Sequence, residues 1–192
     1  FSSIVQRGDK IALLGRNGIG KTTLVKALLN TDNQDAGLVK WGHNTHVGYF
    51  GHDHREQIEK GTTVFDWLFA QQPDAGANDV RSVLGRMLFS GEDGKKPTTT
   101  LSGGEAARLV FCKLILCKYN VLVLDEPTDH LDLESVSALR EGIDQFKGTV
   151  IYVTHDRDLA SAANRIWTYT GPCELLDYNG PLDDYLAWHE KH

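Results

Sequence analysis

Two acids close an apolar run: Val121, Leu122, Val123 and Leu124 lead into Asp125 and Glu126. A carboxylate buried without a partner costs several kcal/mol, so such a pair at the end of a buried strand needs a cation or water to face. Taken alone, the run reads equally well as a strand that emerges into solvent through an acidic turn. A second stretch changes the balance. Gly15-Arg16-Asn17-Gly18-Ile19-Gly20-Lys21-Thr22 fits the pattern G-x-x-x-x-G-K-[ST] at every position, between a strand and a helix as that pattern requires. Its glycines let the backbone curl so that successive N–H groups face phosphate oxygens. The helix opening near Lys21 adds its positive end. Lys21 is then expected to reach the β- and γ-phosphates and the Thr22 hydroxyl to bind Mg²⁺, with Thr23 beside them. A third apolar run, Thr149-Val150-Ile151-Tyr152-Val153, ends in Thr154 and His155. A phosphate loop, an acid pair and a histidine thus each follow a strand.

These residues meet only if the strands share a sheet. Four branched apolar residues in a row at 121–124 read as a strand buried on both faces, as at the centre of a parallel sheet. Ligands of open α/β sheets bind at the carboxyl ends of the strands. The fold class expected is therefore an α/β, RecA-like P-loop sheet, mostly parallel, with helices on its faces. Before it, Lys10-Ile11-Ala12-Leu13-Leu14 is a strand and the helix from Lys21 runs to about Leu29. Residues 30–37 form a polar turn, and 38–41 and 46–50 read as strands around Gly42-His43-Asn44. His52 and His54 would share a face of an extended strand, which allows a metal pair or a solvated, hydrogen-bonded pair. Helical patterns open at 63–69 and, from an Asn78 or Asp79 cap, bury Val80, Val83, Leu84, Met87 and Leu88. Residues 90–100 read as a mobile connection, and 52–100 as a helical insertion between sheet segments.

Ser102 stands as N-cap of a helix over 106–117, with Glu105 three residues on as in a capping box. Gly103 and Gly104 destabilise that first turn by roughly 1 kcal/mol each. They make sense if an anion approaches the backbone there, a second phosphate-binding device. Asp132 is expected to cap a helix over 133–146 that Gly148 ends. A short helix at 157–163, strands at 165–169 and 173–178 with a turn at Gly171-Pro172, a turn at Asn179-Gly180 and a helix carrying Leu182, Tyr185, Leu186 and Trp188 complete the chain. Residues 189–192 read as a solvated tail.

The 192 residues suit one domain, or one with a small subdomain. No apolar run approaches the roughly 20 residues that span a bilayer, and the first residues carry no signal-peptide pattern. Three cysteines, an odd number, argue against a disulfide framework. Cys112 and Cys117 read as core. A reducing, cytoplasmic setting is expected. The net charge of −6 gives no general attraction to nucleic acid or anionic membranes.

The order of these motifs carries a resemblance. Leu101-Ser102-Gly103-Gly104-Glu105 ahead of the acidic strand, and His155 after the next strand, resemble the nucleotide-binding domain of ABC ATPases along nearly the whole chain. Asp125-Glu126-Pro127-Thr128-Asp129-His130-Leu131-Asp132 and Val153-Thr154-His155-Asp156-Arg157 resemble the ABC-F branch. The segment from Gly48 to His54 and the short insertion resemble the second of that branch's two domains. The resemblance implies a core over 1–51 and 101–178, a helical subdomain with the lead-in to the signature loop over 52–100, and a C-terminal helix over 179–192. It implies ATP and Mg²⁺ as cofactors, with Asp125 on the metal, Glu126 as general base or water-orienting group, His155 on the γ-phosphate, and Lys21 and the loop on the phosphates. Ser102, Gly103, Gly104 and Glu105 would act on the γ-phosphate held by a different domain, and Asp132 would belong to the contact between domains. The partners implied are a second ABC nucleotide-binding domain, in the same chain or a dimer, and the ribosome, with no membrane partner.

Two positions depart from that pattern. His52 stands where glutamine usually coordinates Mg²⁺, and neutral imidazole is a weaker Mg²⁺ ligand than oxygen. Asp129 stands where asparagine is usual. The resemblance also places an adenine-stacking aromatic and a first strand ahead of Phe1, so the chain is expected to be a fragment with one sheet edge truncated. The competing readings are the ATPase subunit of a membrane transporter and a nucleotide-binding module without turnover, which the intact Glu126 and His155 oppose.

Overall fold

A computed structural model describes residues 1–29, 36–129, 131–171 and 174–191, and within them every side chain except those of Glu134, Ser135 and Ala138. The strands are β1 (Lys10–Leu14), β2 (Val47–Phe50), β3 (Val121–Asp125), β4 (Thr149–Val153), β5 (Arg165–Gly171) and β6 (Glu174–Tyr178). They form one sheet in the order β2-β3-β4-β1-β5-β6. Every neighbouring pair is parallel except β5 with β6. The mostly parallel α/β sheet expected from the apolar runs is therefore what forms. The phosphate loop and both catalytic candidates follow β1, β3 and β4, which lie side by side, so their carboxyl ends fall on one edge.

Burial on both faces explains the composition of these strands. Ala12, Leu124, Val150 and Tyr152 point into one core with α2 (Val64–Gln71), α3 (Ala77–Arg86) and α4 (Gly103–Leu116). Ile11, Leu13, Val123, Ile151 and Val153 point into the other, with Val25 of α1 (Lys21–Leu28). All of β4 is buried. Helix α5 (Leu133–Gln145) is tied back to the sheet by a buried lysine: Lys10 Nζ donates to the carbonyls of Phe146 and Gly148, at 2.6 Å each. That is a cation at a helix C-terminus, where the macrodipole favours one.

Several local expectations change. Residues 38–41 form no strand: Leu38 is exposed and Trp41 turns back to donate to the Leu28 carbonyl at 3.1 Å. Helix α3 is capped two or three residues earlier than the Asn78 or Asp79 expected, by Gly76, whose N–H donates to the Asp79 carboxylate. Leu88 is exposed, because its φ of 62° turns the chain out just past the helix end. Residues 90–100 are not a loose connection but two 3₁₀ turns, with the buried Thr98 hydroxyl donating to the Glu59 carbonyl at 2.8 Å. Helix α4 opens at Gly103 rather than 106, and α6 (Arg157–Ala160) is shorter than expected. Helix α7 (Leu182–His189) runs into the expected tail, with the His189 ring 5.6 Å from Tyr185. Cys112 is buried and Cys117 half-buried, both free. Most of the polar turn at 30–37, together with His130, Pro172, Cys173 and His192, lies outside the described residues.

Candidate active site

The loop after β1 is built by its glycines. Gly18 and Gly20 adopt φ of 77° and 111°, open to glycine and rarely to other residues. Gly20 caps α1 with no side-chain hydrogen bond of its own, so the first N–H groups of that helix are offered to an anion. Arg16, Asn17, Gly18, Thr22 and Thr23 are exposed, whereas Lys21 is buried. Lys21 folds across the loop and donates to the carbonyls of Gly15 at 2.9 Å and Arg16 at 3.2 Å. Below the loop the Tyr169 hydroxyl of β5 donates to the Gly20 carbonyl at 3.4 Å. No sequence pattern singles out Tyr169, because its place depends on β5 lying beside β1.

At the same edge His155 Nε2 stands 3.0 Å from Lys21 Nζ and 3.0 Å from Glu126 Oε1. One ring nitrogen serves both: protonated, it donates to Glu126, and unprotonated, it accepts from Lys21. Glu126 has a φ of 49°, left-handed for a non-glycine residue. Its N–H donates to the Val153 carbonyl at 3.1 Å, extending the β3–β4 ladder by one bond. Burial raises its carboxyl above the usual range, with His155 and Lys21 pulling the other way.

Asp125 is fully buried, and neither carboxylate oxygen has a hydrogen-bond partner among the described residues. Burial raises its pKa, opposed first by the nearby Thr22 hydroxyl and then by His52, Lys21 and Lys26. A buried carboxylate with two orphaned oxygens beside a hydroxyl is the donor set a hard divalent cation requires. These residues therefore fit Mg²⁺.

His52 and His54 do not form a metal pair. The strand ends at Phe50, and His54 turns inward, stacking on Phe50 at 5.1 Å with Nε2 3.3 Å from the Gly103 carbonyl. His52 faces Asp129, with Nδ1 3.4 Å from Oδ2. Among the described residues no cluster of three or more histidine, cysteine or acidic side chains could hold a metal ion.

The capping box of α4 is as expected: Ser102 N–H donates to Glu105 at 2.7 Å and Glu105 N–H to the Ser102 hydroxyl at 3.2 Å. Lys96, which the sequence did not single out, donates to Glu105 at 2.7 Å, and with the cap holds its carboxyl down at about 2. Ser102, Gly103 and Gly104 line an open pocket of about 700 Å³ with His52, Arg108 and Asp132. The phosphate loop is not among its walls. Asp132 accepts the Val136 N–H through its main-chain carbonyl at 3.0 Å, in the first turn of α5.

Comparison with known proteins shows which family the chain resembles. The family described as "ABC transporter" matches residues 1–129. The chain is 45% identical over 186 residues to "Probable ATP-binding protein YbiT" of Escherichia coli O157:H7, covering 95% of this chain and 35% of that protein. It is 39% identical over 184 residues to "ABC transporter F family member 5" of Arabidopsis thaliana, covering 95% and 26%. It is 39% identical over 197 residues to "ATP-binding protein Uup" of Escherichia coli strain K12, covering 100% and 31%. The chain thus spans about a third or less of the length of these relatives. In solved structures the fold recurs in a putative metal-chelate type ABC transporter, at a TM-score of 0.73, 22% identity, and coverage of 95% of this chain and 75% of that one. It recurs also in "RNase-L Inhibitor", at a TM-score of 0.73, 24% identity, and coverage of 95% and 37%.

Proposed function

The chain belongs to the ABC transporter family and aligns along nearly its whole length with members of the F branch, and on that footing we propose that it binds and hydrolyses ATP as a nucleotide-driven switch. The meeting of Lys21, His155 and Glu126 within 3.0 Å beside the orphaned Asp125 carries this reading. Residues 15–23 cradle the phosphates, and Lys21 exchanges its loop carbonyls for phosphate oxygens. Thr22 and Asp125 hold Mg²⁺, with His52 a third candidate; when bound, the ion neutralises charge on the phosphate oxygens. Glu126 orients water and takes its proton, and His155 donates from Nε2 to the γ-phosphate. Catalysis is then positioning plus electrostatics.

Ser102, Gly103 and Gly104, with Glu105 capping them, serve the γ-phosphate held by a second ABC domain, and Asp132 lies at that contact. The pocket they line apart from the phosphate loop supports this assignment. Within the domain, 1–51 and 101–178 form the ATPase core, 52–100 the helical subdomain and 179–192 the C-terminal helix. The setting proposed is the cytoplasm and the target of the switch the ribosome, on family resemblance. Among the described residues no helix is long and apolar enough to cross a membrane. The F-branch relatives do not favour the transporter-subunit reading.

Glu126→Gln tests the assignment. It should keep ATP binding, lower turnover by about 10²-fold or more, and hold a closed dimer or two-domain form that sediments with ribosomes in ATP. Wild-type turnover in that variant would remove Glu126 as the base, and loss of co-sedimentation would remove the ribosome.

A further inference from the structure

One contact at the site edge joins the loops that follow β2 and β3. His52 follows β2 and Asp129 follows β3, strands that pair in parallel up to Phe50 and Leu124. The 3.4 Å approach of His52 Nδ1 to Asp129 Oδ2 bridges the two loops, with the side chains 53% and 46% exposed. Asp129 is not an isolated surface acid. Its N–H donates to the Glu126 carbonyl at 3.2 Å, closing the turn that opens at Glu126. Glu126, the first residue of that turn, has a φ of 49°, which a non-glycine residue holds only where its surroundings over-determine it.

We propose that His52 and Asp129 act as one latch, which fastens the turn carrying Glu126 to the end of β2 and thereby positions the Glu126 carboxylate. The latch requires only a proton on Nδ1, which one neutral tautomer supplies as well as the imidazolium does. The inference rests on Glu126 being the water-orienting residue.

The test is a double-mutant cycle in the full polypeptide. His52→Ala and Asp129→Ala should each lower kcat about three- to tenfold with little change in KM for ATP, and the double variant should be no worse than the poorer single one. His52→Gln combined with Asp129→Asn should return kcat to within about twofold of wild type. Ring-nitrogen NMR shifts of His52 should report a protonated Nδ1 that Asp129→Ala alters. Single effects that multiply in the double variant overturn the latch. So does a change in Mg²⁺ dependence on His52→Ala that Asp129→Ala does not share, which would make His52 a metal ligand instead. Glu126→Gln separates the layers. Full turnover in that variant overturns the Glu126 assignment and the latch together, whereas lost turnover with an uncoupled cycle overturns the latch alone.

Discussion

Asp125 is a residue the fold keeps against its own stability. Its carboxylate is fully buried, neither oxygen has a hydrogen-bond partner among the described residues, and burial raises its pKa. The sign follows directly. A carboxyl whose folded pKa is raised favours the fold while protonated, and that contribution is lost as pH rises from its ordinary value of 3.8 through the raised one. Asp125→Asn should therefore raise the melting temperature at neutral pH without Mg²⁺, by about 2–4 °C for each kcal/mol relieved. The gap should close as pH falls into the carboxylate range, and Mg²⁺ with ATP should stabilise wild type but not the variant. Equal melting curves for both at neutral pH would mean that the carboxylate already has a partner. Lys21, Asp125, Glu126 and His155 were legible in the sequence, because phosphate chemistry ties residue type to spacing along a strand and the loop after it. The links from His52 to Asp129 and from Tyr169 to Gly20 were not, since each joins segments that only the sheet order brings together.

The same division holds for elements. Strands β1, β3 and β4 announce themselves because burial on two faces demands unbroken apolar runs. Residues 38–41 carry similar residues yet form no strand, since Trp41 finds its partner on α1 instead. The start of α4 was legible through Ser102 and Glu105, but Lys96 was not, as nothing local joins it to a cap nine residues away. Its effect is nevertheless large. Lys96 and the Ser102 N–H hold the Glu105 carboxyl at about 2, below its ordinary 4.5. A depressed carboxyl stabilises the fold above its ordinary pKa and loses that contribution as pH falls through the depressed one. Lys96→Met should thus cost about 1 kcal/mol near neutral pH, after discounting for solvent screening. The difference should shrink between 4.5 and about 2. Urea titrations of both proteins at neutral and acid pH measure it, and a gap independent of pH would assign the loss to packing of the lysine stem rather than to its charge.

At the scale of the molecule the start of α4 and the loop at 15–23 do not line one pocket. The loop at 15–23 opens beside Asp125, Glu126 and His155, whereas the exposed start of α4 lines a pocket whose walls exclude that loop. A helix N-terminus with two glycines in its first turn costs stability unless an anion uses it. If that anion is the γ-phosphate on a second domain, each chain contributes half of two sites, and symmetry closes the pair. Complementation follows from the geometry. A Ser102→Arg chain keeps its own phosphate loop and spoils only its partner's site. A Lys21→Ala chain spoils its own loop and keeps a working α4 start. Each variant alone should be inactive. Mixed in equal amounts, they should regain about a quarter of wild-type turnover, because half of the pairs are mixed and each of those holds one intact site. The regained rate should rise with protein concentration until pairing saturates. A mixture that stays inactive while each variant still binds its expected partner would place the α4 start outside the hydrolytic site, leaving its glycines to be explained by some other anion.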